Sequence, residues 1–132
     1  MVLSGRVDLT LGSPRGDRAG KVLLDLKTGG CKPADLDDVR FYALLETIRL
    51  GVPPLMVAGY YLDAGTSHTE VVTEGLLDAA LARTVGGVQR LADLLLDEAE
   101  PVLRTGHACR WCPIASGCAA GGAWLSEWTD AA

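Results

Sequence analysis

Asp25-Leu26-Lys27 closes the apolar run Val22-Leu23-Leu24, and an earlier apolar stretch carries Gly5-Arg6-Val7-Asp8. Side chains alternate faces along an extended strand, so Asp25 and Lys27 project to one side, roughly 6 to 7 Å apart. Leu24 and Leu26 are then expected to face the core. Two carboxylates and a lysine on one sheet surface can hold a hard divalent cation and leave an ammonium free to position water or a scissile phosphate. The chemistry this predicts is metal-assisted hydrolysis of a phosphodiester. Asp-x-Lys by itself also arises as a solvated charge pair on a strand surface. Its setting favours a site, because Thr28-Gly29-Gly30 follows at once and sites concentrate where strands end and the chain turns. Those glycines are not a phosphate loop, since Lys27-Thr28 lacks the upstream Gly-x-x-x-x-Gly.

The elements that must position these residues read as strand, strand, helix, strand, strand, helix and a cysteine-rich tail. Val7, Leu9 and Leu11 alternate with Asp8 and Thr10, as in a half-buried strand. The polar stretch from Gly12 to Gly20 is expected to be the loop of a hairpin into a strand at 21–27. Asp8 and Asp25 would then lie on neighbouring antiparallel strands, as a shared cation requires. Pro33 with Asp35, Asp37 and Asp38 suits a helix start; acidic residues there also have a plain explanation in the helix dipole. Phe41, Leu44, Leu45 and Ile48 follow at helical spacing, and Gly51 and Pro53-Pro54 stop the helix. A central strand is expected over 55–62 and a weaker one over 69–72. Thr73 reads as the N-cap of a long helix with the stripe Leu77, Leu81, Val85, Val88, Leu91, Ala92 and Leu95.

At 132 residues the chain has room for one core, and its apolar residues, 48% of the total, form no run long enough to span a bilayer. No signal-peptide pattern opens it, so a cytoplasmic location is expected. The net charge of -5 argues against a broad electrostatic grip on a nucleic-acid backbone, which comes from clustered Lys and Arg. Any such surface must be local or supplied by a partner.

Cys109-Arg110-Trp111-Cys112-Pro113 followed by Cys118 is the second constellation, with Cys31 as the remaining cysteine. Three thiols within ten residues suit metal better than disulfides or a redox pair. Zinc would take a fourth ligand, with His107 and Cys31 as candidates, and an iron-sulfur cluster would take a fourth thiolate. Trp111 is expected to pack over a cluster or the core. Trp124 and Trp128, four apart, suggest a short amphipathic terminal helix.

The joint order Gly-Arg-Val-Asp8, Asp25-x-Lys27, a helix carrying Arg40-Phe41-Tyr42-Ala43-Leu44-Leu45, and a terminal Cys-x2-Cys-x5-Cys resembles the RecB-like branch of the PD-(D/E)XK nuclease superfamily. More narrowly it is similar to members with an iron-sulfur staple, as in AddB-type recombination nucleases and CRISPR-associated exonucleases. The resemblance implies an α/β restriction-endonuclease-like core over 1–100, a mixed central sheet flanked by helices, without the usual N-terminal helix. A cysteine-rich segment over 101–132 would pack on it. It implies magnesium or manganese on Asp8, Asp25 and the Leu26 carbonyl, with Lys27 catalytic. It also implies a 4Fe-4S cluster on Cys109, Cys112 and Cys118 with a further thiolate, for which Cys31 is a candidate. Where the family's helix carries Gln-x3-Tyr, this chain has Asp38-x3-Tyr42, which makes Asp38 and Tyr42 candidates to line the site.

The expected function is therefore divalent-metal-dependent DNA cleavage, as an exonuclease in repair or recombination, with DNA and a helicase or other recombination protein as partners and no membrane. Two other readings stand beside it. One is a nuclease-fold module that binds DNA or scaffolds without cutting; the other is a small iron-sulfur or zinc protein in which Asp-x-Lys is incidental.

Overall fold

The structure, a computed structural model, describes residues 2–130. It is α/β: strands β1 (Leu9–Gly12), β2 (Lys21–Lys27), β3 (Met56–Tyr61) and β4 (Thr66–Val71), with helices α1 (Asp35–Leu50), α2 (Glu74–Leu95) and α3 (Ala119–Asp130). Two compact units divide the chain, Met1–Arg90 and Leu91–Ala132, and the division falls inside α2.

In the first unit the four strands form one open mixed sheet in the order β1-β2-β3-β4. β1 and β2 are antiparallel, β2 and β3 parallel, β3 and β4 antiparallel. Parallel neighbours need a crossover, and α1 supplies it. Backbone bonds beyond the strands hold both ends of the parallel pair, from Leu55 N to Lys21 O at 2.7 Å and from Leu62 N to Lys27 O at 2.9 Å.

α1 ends as its sequence dictates. Gly51 takes a left-handed conformation at φ 71° and donates its N–H to Thr47 O, a geometry that penalises any side chain with a Cβ. The helix lays Val39 and Ala43 onto Leu23 of β2 and Val57 of β3, with Leu36, Tyr42, Leu76 and Leu77 packed around them. Ile48, expected on this face, is exposed instead, because the seam follows Leu36, Val39 and Ala43. The small Ala43 lets the helix approach the sheet. Thr73 caps α2 as expected, its Oγ1 accepting from Leu76 N at 3.2 Å. Leu81, Val85, Leu91 and Leu95 on its stripe are nonetheless exposed, and Ala80 is its buried residue.

The face of β2 that α1 covers corrects the sequence-based expectation. Leu23 is in the core and Asp25 is buried on the same side, only 6% exposed; Leu26 lies on the opposite face at 42%. Leu24 shares that opposite face, so neither leucine points at α1. The carboxylate lies under the helix, and its burial is tolerated because a cation from its own strand neutralises it.

Candidate functional site

Asp8 occupies a bend just before β1, which starts at Leu9. The register Leu9↔Leu24 carries Asp8 alongside the end of β2, where its Oδ2 accepts the Leu26 N–H at 2.8 Å. A side chain thus takes the place of the next ladder bond. The N–H and C=O of one strand residue leave on the same side, so the Leu26 carbonyl also faces the Asp8 edge.

Asp25 and Lys27 are neighbours on the α1 side of β2, and Lys27 Nζ is 2.9 Å from Asp25 Oδ2. The same ammonium donates to Asp38 Oδ2, in the first turn of α1, at 2.8 Å. Hydrogen bonds to Asp38 and then Asp25 outweigh burial and hold Lys27 well above the ordinary lysine range. Lys27 is therefore a fixed cation at any working pH, suited to charge stabilisation and not to taking a proton.

Tyr42 lies one helical turn beyond Asp38, so α1 presents both to the same region. Burial raises the Tyr42 phenol, Asp25 and Asp38 add to it, Lys27 opposes them, and Asp8 adds again. One phenol thus feels all four other candidates. Gly5 lets the N-terminal segment lie against this ring: a Cβ there would come within 2.7 Å of Tyr42 Cδ1 and Cε1. A cavity of about 650 Å³ adjoins Tyr42 and is lined also by Leu23, Lys21 and Glu46. It includes none of Asp8, Asp25, Lys27 or Asp38, so the charged cluster lies outside it.

Surrounding ion pairs fix the helix that carries Asp38 and Tyr42. Arg40 donates to both Glu70 oxygens, at 2.8 and 2.6 Å, tying α1 to the edge strand β4. Arg83 of α2 pairs with Asp37 at 2.8 Å, and Lys21 pairs with Glu46. Burial pushes the Glu46 carboxyl up, but hydrogen bonds from Lys21 and Arg49 win and hold it below the usual range.

Sequence patterning missed Tyr61, the register partner of Lys27. It is only 2% exposed, and its hydroxyl makes no well-formed hydrogen bond. The Cys31 thiol beside that hydroxyl, then burial, push Tyr61 up, with Asp35 adding. Only the parallel register brings Tyr61 to the loop after β2, so no local signal could have marked it. Cys31 itself is exposed. The loop that carries it is anchored where Gly29, at φ 81°, donates its N–H to Asp63 Oδ2 at 2.6 Å.

Asp8, Asp25 and the Leu26 carbonyl are oxygen donors of the kind magnesium takes, and magnesium commonly rests on one or two carboxylates, completing its shell with water and substrate phosphate. The donor set fits that mode. Among the described residues no group of three or more His, Cys, Asp or Glu side chains is arranged to hold a metal by itself.

In the second unit, 3-10 turns at His107–Trp111 and Ala115–Gly117 lead into α3. Cys109 and Cys118 converge: a Cβ on Gly121 would meet their sulfurs at 3.8 and 3.4 Å, and Gly121 N donates to Cys118 Sγ. All four cysteines are free thiols. Two of the three terminal thiols thus meet at Gly121, and Cys112 does not complete a metal-holding trio with them. Trp111, expected to be packed, is 73% exposed at the end of the first 3-10 turn. Trp124 and Trp128 stack in parallel, 6.3 Å apart.

No family model matches the chain, and no curated protein matches it. Among the described residues no helix is long and apolar enough to cross a membrane.

Proposed function

We propose that the chain is a metal-dependent DNA nuclease of the RecB-like PD-(D/E)XK type, with a restriction-endonuclease-like core. The observation that carries the reading is the convergence of Asp8, Asp25, Lys27 and Asp38 around Tyr42, drawn from three separate chain segments. A magnesium or manganese ion held by Asp8, Asp25 and the Leu26 carbonyl would polarise the phosphate and lower the pKa of bound water. Lys27, permanently charged, stabilises the developing phosphorane charge. Asp38 orients Lys27, and Tyr42, kept as a neutral phenol, can donate a hydrogen bond to a phosphate oxygen.

Cys109, Cys112 and Cys118 are read as a metal-binding segment, for a 4Fe-4S cluster or zinc, completed by a fourth ligand. The convergence of Cys109 and Cys118 supports this. The partners are DNA and a helicase or other recombination protein.

Purified protein should degrade DNA with magnesium or manganese. Asp25→Ala and Lys27→Ala should each abolish cleavage, and cleavage that survives both would overturn the assignment. One observation favours a second reading, a nuclease-fold module that binds without cutting: Asp25 and Asp38 are both already paired with Lys27. Manganese titration separates the two, since a cutting site binds the ion through Asp8 and Asp25 and a scaffold does not.

A further inference from the structure

β4 is the outer strand of the sheet and pairs with β3 along one side only. Its other side is open, with residues 66–69 and 71 exposed. Val72 donates its N–H to Leu55 O at 3.1 Å, and backbone groups alternate sides along a strand, so His68 and Glu70 turn theirs toward β3. Ser67, Thr69 and Val71 turn theirs outward, where among the described residues no backbone bond meets them. Proteins blunt such edges with brevity, proline, lysine or a bulge. β1, the opposite edge, is only four residues long. β4 runs six residues in unbroken register and carries neither proline nor lysine.

The sequence of β4 matches itself when a second copy runs antiparallel to it about Thr69. Thr69 then faces Thr69, and Ser67 faces Val71 twice, so every outward residue joins a pair that exchanges both backbone bonds. Between these pairs His68 stands opposite Glu70, also twice, at the closely spaced non-hydrogen-bonded positions. A slide of two residues in either direction loses bonds and sets His68 against His68 or Glu70 against Glu70. Glu70 has capacity for the contact: Arg40 donates one bond to each of its oxygens, and an ionised carboxylate offers about four lone-pair sites. A hollow of about 530 Å³ beside it, lined also by Arg40, Val71, Leu76 and Ala79, gives the incoming imidazole room.

We propose that the outer edge of β4 is an interface between two copies of this chain, joining their four-stranded sheets into one across a two-fold axis at Thr69. The inference goes beyond the nuclease reading and does not depend on it, since β1 and β2 lie at the other side of the sheet. A contact confined to one strand and its flanking side chains is small, so the association is weak and reversible.

Sedimentation of the intact chain across micromolar concentrations should show a monomer–dimer equilibrium. Amide exchange followed by NMR locates the contact: Ser67, Thr69 and Val71 should slow as concentration rises, whereas His68 and Glu70, already bonded to β3, should change little. Thr69→Pro removes an outward N–H that the single chain does not use, so the monomer should keep its fold while the dimer loses two ladder bonds and weakens about tenfold or more. Thr69→Lys brings two ammonium groups together on the axis and should weaken the dimer as well. His68→Glu, which sets carboxylate against carboxylate, should also weaken it, and His68→Lys should hold it. Far-UV circular dichroism checks that the variants fold; if Thr69→Pro does not, Thr69→Lys and the His68 pair decide.

A chain that stays monomeric across that range would overturn the proposal, as would exchange at Ser67, Thr69 and Val71 that ignores concentration. So would a dimer that the folded Thr69 variants leave intact. Equal responses to His68→Glu and His68→Lys would remove the pairing about Thr69 and overturn it too.

Discussion

Lys27 Nζ and Asp38 Oδ2 meet at 2.8 Å, joining the last residue of β2 to the first turn of α1. Because Lys27 also pairs with the buried Asp25, one ammonium locks the crossover helix to the strand it covers. A lysine pKa raised by such partners contributes stability that is complete below the unfolded value of about 10.4 and is lost as pH rises through the folded value. Asp38→Asn should therefore cost its full effect, about 1 kcal/mol, at pH 7, and the loss should shrink only as pH rises well past the unfolded lysine value, where Lys27 of the native chain also begins to lose its proton. Denaturant melts at pH 7 and at a strongly alkaline pH read this directly. A loss that does not shrink at the alkaline end would show that Asp38 acts through something other than Lys27.

At the acid end the sign reverses. Arg40 holds Glu70 below the usual glutamate range, so its contribution is present above about pH 4.3 and disappears as pH falls through the lower folded value. Glu70→Gln should cost about 1 kcal/mol at neutral pH and nothing once the native carboxyl is protonated. Stability of the two proteins should converge on acidification; parallel curves down to pH 2 would contradict the pairing.

Manganese should raise the melting temperature of the native chain, since an ion that binds only the folded state stabilises it by mass action, by about 2.7 kcal/mol at a hundredfold excess over its dissociation constant. Asp8→Ala and Asp25→Ala should each remove most of the shift. If both variants respond like the parent, the ion lies elsewhere.

Gly5→Ala places a methyl against the Tyr42 ring, and the overlap should cost about 1–3 kcal/mol while displacing the phenol from the carboxylates. Cleavage should fall along with stability, and Tyr42→Phe in the same background should not lower cleavage further. A further drop would mean that the ring had kept its position.

Anaerobically prepared protein should carry iron or zinc bound through its terminal thiols, and Cys109→Ser or Cys118→Ser should strip it, as metal analysis and the visible absorption spectrum would record. Metal retained in both variants would exclude the Gly121 convergence as its seat.

Much of the site was legible because its members keep short fixed spacings. Asp25 and Lys27 are two apart on a strand, Asp38 and Tyr42 four apart on a helix, and the hairpin returns Asp8 to Asp25. Alternation says which residues share a face but not which face is covered, and Leu24 and Leu26 were misassigned for that reason. The choice was made by α1, whose seam follows Val39 and the small Ala43 where Phe41 and Ile48 had looked the more obvious apolar anchors. The meeting of Tyr61 with Cys31 depends on parallel register between segments 30 residues apart in sequence, which no window contains. Trp111 ends a 3-10 turn and is exposed, which no periodic pattern in its short, irregular segment marks.

The alternation of antiparallel, parallel and antiparallel pairing across the sheet also orders events during folding. The β1–β2 and β3–β4 hairpins close locally and fast, on a scale of about 1–10 μs for such elements, whereas the β2–β3 pairing must wait for the crossover to be traversed. Asp8 and Asp25 are thus expected to meet first, within one hairpin, with Asp38 and Tyr42 joining them when α1 docks. The carboxylate pair is a local product of the chain, and the groups that tune it arrive with the topology.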